Sequence, residues 1–404
     1  MNYFNEAIKT LEKWVAIKSV KDKSEKNAPF GLGVMEMANR CFSDAKSLGL
    51  NAINYDNYAV EVNYGEGLDE DGVSILCHLD VVPEGDIELW NSNPFVLTER
   101  EGCLVGRGVV DDKGPAVMCL YALKELKDSG FIPSKKIKLI FGMDEESGWG
   151  CIEHYNKVAT LSNLGFSPDG DFPVIYAEKG ILHIEYFFKK HPDIDILGGD
   201  RVNMVCDKCK LTANGETLTF LGVSAHGSTP EKGDNAIKKA LNFLVGNGLF
   251  DKTNYLNLFE SEFSLQDESG RLTFSPNVIY SDGEFIKIKT DVRYPATISL
   301  EEVEKLLRKV GDFTVLSHQK PLFVDKNSTL INTLVNVYEK TFNEKGKPIT
   351  TGGGTYARAL KNGVAFGPSL YGEHCCHVPN EKISIERLKK CYDAYKTAIY
   401  ELAK

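Results

Sequence analysis

Two apolar runs without polar alternation, Val73–Cys77 and the heart of Lys136–Met143, constrain this chain more than any other feature. A strand of that kind has no face to give to water. It must be covered on both sides, as in the centre of a parallel-type sheet. Pro115–Lys127, between the two runs, reads as a helix. Strand, helix, strand in sequence predicts an α/β fold with a mainly parallel sheet and helices on both faces. Two helices precede it. Phe4, Ala7, Ile8, Leu11, Trp14 and Val15 share one face at helical spacing. Val34, Met37, Ala38, Cys41, Phe42 and Ala45 share another, which stops near Gly49. Tyr58–Tyr64 reads as a further strand.

The pattern changes near Gly180. Short, partly alternating strands follow in ILHIEYFF, ETLTFLG and FIKIKTDVRY, with helices at about Asn235–Val245 and Leu300–Val310. After His318 the α/β character returns, with helices Thr329–Phe342 and Ile385–Leu402 and a glycine turn at Gly352–Gly354. The expected organisation is a discontinuous core domain, 1–179 and 319–404, interrupted by an α+β domain at 180–318. For 404 residues, this agrees with roughly 150 residues per domain.

Composition excludes several roles. Lys and Arg number 47 against 57 Asp and Glu, a net charge of −10. Nucleic acid and anionic membranes both require a basic footprint, so neither is expected as a partner. No stretch reaches 18 uninterrupted apolar residues, so no membrane span is expected. The first twenty residues lack a charged segment followed by an apolar one, so no secretory signal is expected. Ten cysteines are too few for a disulfide scaffold and predict reduced thiols in a cytoplasm. Cys206-Asp-Lys-Cys209 has the spacing of half a zinc ribbon, but its flanks read as a hairpin and no second CxxC exists.

Acidic and histidine clusters fall at predicted strand and loop ends, where open α/β sheets bind ligands. His78-Leu-Asp80 follows the first buried run, and residues two apart on a strand point the same way. His78 can bind a metal with Asp80 orienting it. Asp111-Asp112 opens a helix, where one Asp is ordinary capping and two call for more explanation. Asp144-Glu145-Glu146 ends the second run. Three adjacent carboxylates repel each other, and a divalent cation would relieve that repulsion. Asp169 sits in a loop, and His374-Cys-Cys-His377 lies near the C-terminus. Each cluster alone is unremarkable. Together they supply nitrogen and oxygen donors without thiolate, a set that suits zinc and also manganese or cobalt.

The motifs His78-Leu-Asp80-Val-Val-Pro, Gly106-Arg-Gly-Val-Val-Asp111-Asp-Lys-Gly-Pro and Asp144-Glu-Glu, taken together, resemble the M20 family of metallopeptidases. Further segments are similar to its bacterial PepV-like (Xaa-His/β-Ala type) dipeptidases. These are Gly198-Gly-Asp-Arg-Val-Asn-Met-Val, Ser224-Ala-His-Gly-Ser, Asp291-Val-Arg-Tyr-Pro and Gly352-Gly-Gly-Thr-Tyr-Ala-Arg358. The resemblance implies a zinc-peptidase, phosphorylase/hydrolase-like core with an inserted lid. It implies two divalent ions, zinc before manganese or cobalt. His78, Asp111, Glu146, Asp169 and His377 would be the metal ligands, with Asp111 bridging and His374 a rival to His377. Glu145 would be the general base, Asp80 the residue orienting His78, and His226 a lid histidine that stabilises the oxyanion. Arg293, Arg358, Gly353 and Asn277 would hold substrate, with Asn203 a weaker polar candidate.

The activity so implied is hydrolysis of dipeptides or very short peptides. An N-acyl-amino-acid deacylase on the same scaffold is the alternative. A non-catalytic metal-binding protein would have lost Glu145 or a ligand, and none is missing. The compact segment Met204–His226 falls between the enlarged lid of full-length PepV-like enzymes and the smaller lids that dimerise. Monomer and homodimer both stay open, as does whether His226 acts in its own chain.

Overall fold

The computed structural model describes residues 2–261, 263–370, 372 and 376–404. Helices α1 (Tyr3–Val15) and α2 (Leu32–Ser47) bury the stripes expected of them. Strands β1 (Asn51–Tyr55) and β2 (Ala59–Tyr64) form an antiparallel hairpin. Asp56–Tyr58 connect the two strands, with Asp56 and Asn57 in the left-handed region at φ of 53° and 61°. β1 has no counterpart in the sequence reading, because NAINY is short, polar and only partly buried.

Strands β3 (Val73–His78) and β4 (Ile137–Gly142) are buried at every residue, as unalternating runs require. The one charge in β4, Lys138, meets Glu61 at 3.1 Å and Asp69 at 2.9 Å. β3 lies parallel to β4 on one side and to β5 (Leu164–Ser167) on the other. β5 is parallel to Asn362–Ala365, while β2 is antiparallel to β4. The sheet therefore has a parallel centre and an antiparallel hairpin at one edge. Helix α3 (Lys113–Asp128) packs on α1 and on Ile385–Ala403. Because β3, β4 and β5 run the same way, the loops that follow them emerge at one end of the sheet.

These elements belong to a unit built from Met1–Tyr176, Val324–Ile349 and Thr355–Lys404. A second unit comprises Ala177–Phe323 with Thr350–Gly354, so the glycine run falls within it. Its sheet is antiparallel throughout, and Gly180–Lys189 pairs with Phe285–Tyr294 and with Phe313–Gln319. Leu182, Ile184, Tyr186 and Phe188 point into a core shared with helix Ala236–Gly246, while the residues between them point away. Helix Lys252–Phe259 in this unit is one the sequence reading lacks.

Candidate metal centre

His78 is the last residue of β3 and wholly buried. Its Nε2 lies 2.8 Å from Asp111 Oδ1 and 3.9 Å from Asp169 Oδ2. The other oxygen of Asp111 lies 2.9 Å from His377 Nε2, which is 3.1 Å from Glu146 Oε1. Asp111 thus presents one carboxylate oxygen to each imidazole. Donor atoms of His78, Asp111 and Glu146 all lie within 4.8 Å of one another, as do those of His78, Glu145 and Asp169. Five separate segments meet here: the ends of β3, β4 and β5, the loop before α3, and the loop holding His377. His374 lies outside the described residues.

Asp80 orders two of these segments. Its backbone oxygen is 3.0 Å from His78 Nδ1, while its carboxylate accepts the backbone N–H of Glu145 at 3.0 Å and of Glu146 at 3.1 Å. The carboxylate stands 3.6 Å from the His78 ring, so its main bonds go to the acidic turn. Asp112 occupies the N-cap position of α3 without capping it. It is buried and accepts the His78 backbone N–H at 3.2 Å. Capping therefore accounts for neither aspartate.

The electrostatics are those of crowded acids. Burial, with the charges of Asp169, Glu146 and Asp111 added, holds Glu145 well above the usual carboxylate range against the pull of His78. Burial and the charge of Asp111 push Asp169 up to about 7. Burial alone would lower both histidines. Contact with Asp111 and Asp80 raises His78 well above its ordinary value, and contact with Asp111 and Glu146 pushes His377 up to about 11. Burial likewise acts to raise Asp111, but the two histidines outweigh it and hold it far below the carboxylate range. The surrounding acids thus favour positive charge at both imidazoles. Two divalent cations fit the same place, with nitrogen and oxygen donors, no thiolate, and a central carboxylate divided between two histidines.

Several supporting residues have no role in the sequence reading beyond their place in a motif. Lys113 is buried and donates to the carbonyls of Trp14 at 2.9 Å and Ile17 at 2.7 Å, and burial lowers it to about 7. Tyr356 Oη meets Cys151 Sγ at 2.7 Å. A Cβ on Gly142 would lie 1.9 Å from that hydroxyl, so β4 must end in glycine. Glu381 receives the backbone N–H of Asp111 at 3.2 Å. Its only signal was its place in the run His377-Val-Pro-Asn-Glu381.

The other predicted site residues divide between the units. Arg358 stands half-buried in the single turn Tyr356–Ala359 of the first unit. In the second unit, His226 is exposed. Its Nδ1 accepts the Ser228 N–H at 3.2 Å, which leaves the proton of the neutral ring on Nε2. Arg293 is buried and forks onto Asp291, Nε to Oδ1 at 2.8 Å and Nη2 to Oδ2 at 3.0 Å. Asn277 is buried, donating to Val202 O and accepting from Ser275 Oγ, each at 2.6 Å. Gly353 N donates to Thr351 Oγ1 at 3.1 Å, and the backbone oxygen of Asn203 accepts from Gly227 N at 2.7 Å.

The chain is similar to known proteins in sequence and in fold. "Putative dipeptidase YtjP" of Bacillus subtilis (strain 168) is 33% identical over 453 residues, covering 98% of this chain and 97% of the relative. Since 453 aligned positions exceed the 404 residues here, the relative carries segments this chain lacks. Human carnosine dipeptidase 1 has the same fold, with a TM-score of 0.65 at 16% identity, covering 99% of this chain and 96% of that one. YXEP of Bacillus subtilis, described as a dinuclear metal binding peptidase, gives a TM-score of 0.61 at 11% identity, covering 99% and 98%. Residues 75–401 match the family model described as Peptidase family M20/M25/M40. From β3 to its last helix, this chain is built as a member of peptidase family M20/M25/M40, and to that family it belongs.

Proposed function

We propose that this protein hydrolyses the amide bond of dipeptides or very short peptides with a pair of divalent ions, zinc for preference. Manganese and cobalt match the same donors. The observation that carries the reading is Asp111, with one oxygen at His78 and the other at His377. Asp169 would complete the His78 side and Glu146 the His377 side. The names of the relatives point to the same substrate class.

When bound, the ions supply Lewis-acid charge that polarises the amide carbonyl and acidifies water. Glu145, half-buried and with its backbone N–H held by Asp80, takes the proton of the attacking water. It then returns that proton to the leaving nitrogen. Asp80 fixes the backbone from which Glu145 projects. His226 donates from Nε2 to the developing oxyanion. Arg293 keeps Nε and Nη2 on Asp291, its Nη1 lies 3.5 Å from the Gly352 carbonyl, and the edge that Nη1 shares would turn to the substrate carboxylate. Arg358, Gly353 and Asn277 complete the proposed substrate contacts. Domain limits of 1–179 with 319–404, and 180–318, belong to the same reading.

The protein is proposed to work in the cytoplasm as a monomer or homodimer. The nine described cysteines are free thiols, and no described helix is long and apolar enough to cross a membrane. The deciding experiment mixes metal-loaded protein with dipeptides, a tripeptide and N-acetyl amino acids and follows products by mass spectrometry. Cleavage of the dipeptides alone is expected. Release from the N-acetyl compounds would make the enzyme a deacylase instead, and no release would remove the catalytic reading.

A further inference from the structure

Two loops carry ligands for the proposed centre from distant parts of the chain. Gly106–Asp111 brings Asp111, and His377–Glu381 brings His377. A single buried carboxylate joins them. Glu381 Oε1 accepts the backbone N–H of Val110 at 2.9 Å, Gly108 at 3.1 Å and Asp111 at 3.2 Å. Its Oε2 lies 2.8 Å from Arg107 Nη1 and 3.1 Å from Gly108 N. Its backbone oxygen accepts from Gly106 at 3.0 Å. Arg107 reaches on to the carbonyls of Val378 at 3.4 Å and Pro83 at 3.2 Å and lies over the Trp90 ring. Neither Glu381 nor Arg107 is more than 1% exposed.

We propose that Glu381, with Arg107, is a positioning residue that controls filling of the metal position shared by Asp111, Glu146 and His377. The inference rests on the metal-centre reading above. The two histidines are held by different means. His78 is set by a buried strand paired on both sides. The His377 side chain is 51% exposed, on a loop at φ 60°, and the tie through Glu381 begins four residues further on. A cation there needs three donors from three segments to stay within about 0.5 Å of one arrangement. Glu381 accepts from the backbone of Asp111 and follows His377, so it sets the spacing of two of those three.

Glutamine cannot reproduce the junction. It has one acceptor oxygen, and its amide would turn N–H groups toward the N–H groups of the loop. The expected consequence is selective. The His78 position, held by the sheet, keeps its ion, and the His377 position loses affinity by about tenfold or more.

The test titrates metal-free wild type, Glu381→Gln and Arg107→Lys with Mn²⁺ alone, followed by electron paramagnetic resonance, with thermal unfolding measured in parallel. Wild type should take two ions and give a coupled pair signal. Glu381→Gln should bind one ion within about threefold of wild type and show an isolated six-line signal where wild type shows the pair. Arg107→Lys, which keeps the charge, should fall between them. A pair signal in Glu381→Gln at wild-type concentrations would overturn the inference. Equal weakening of both positions together with a lowered melting temperature would also overturn it, as a general loss of structure. Wild type that takes fewer than two ions would instead remove the metal-centre reading beneath it.

Discussion

Asp80 Oδ1 accepts the backbone N–H of Glu145 at 3.0 Å, so the residue two past the end of β3 fixes the start of the turn that ends β4. The proposed base is placed by an acid from the neighbouring strand. Asp80→Asn would set an amide N–H against a backbone N–H in that turn. It should lower kcat by about 10- to 100-fold with the metal content unchanged. Steady-state kinetics with metal analysis on the same samples checks both. Unchanged kcat would detach Asp80 from the placement of Glu145.

Glu145→Gln keeps the shape and removes the proton carrier. Two ions per chain should remain, and kcat should fall by about 10²- to 10⁴-fold. Near-normal turnover would assign the proton transfer elsewhere.

Metal binding should release protons, and more of them at low pH. His377 stands at about 11 and Asp169 at about 7 in the ion-free protein. A cation takes the deprotonated forms. Affinity therefore rises with pH, and most steeply below about 7, where Asp169 is protonated as well. Zinc added in weakly buffered solution should liberate more protons at pH 6 than at pH 8. Equal release at both would contradict the charge state assigned to Asp169.

Gly142→Ala would drive a methyl group into Tyr356 Oη. Overpacking of this kind costs about 1–3 kcal/mol. Denaturant unfolding should show a loss in that range, and full stability would mean that Tyr356 moves away freely.

If the outer edge of Arg293 grips the substrate carboxylate, Arg293→Lys loses its paired geometry. KM should rise about tenfold for a free dipeptide and stay level for the same dipeptide amide. An equal rise for both would place Arg293 outside substrate recognition.

What could be read in the sequence was what is local. β3 and β4 announce themselves because burial on both faces leaves no polar position to blur the run. His78, Asp111, Glu145 and Glu146 stand at the ends of such runs or at a helix start, whereas Asp169 reads only as part of a loop. What escaped depends on contacts far apart in sequence. Asp112 looks like a cap and instead accepts from the backbone of His78. Glu381 and Arg107 lie 274 residues apart, and the fold buries them and bonds them to each other. The β1–β2 hairpin was lost because Asn51–Tyr55 lacks an apolar stripe.

The parallel pairing of Leu164–Ser167 with Asn362–Ala365 joins segments roughly two hundred residues apart. At about 5–20 residues per second, a ribosome makes Asp169, the last of the four earlier ligand candidates, about 10–40 s before it makes His377. The whole of Ala177–Phe323 is translated in that interval and, as a separate unit, can fold within it. Competence to hold the second ion thus waits for a residue made roughly two hundred positions after Asp169, in the same late stretch that supplies the neighbour of Leu164–Ser167 and the helix that covers α3.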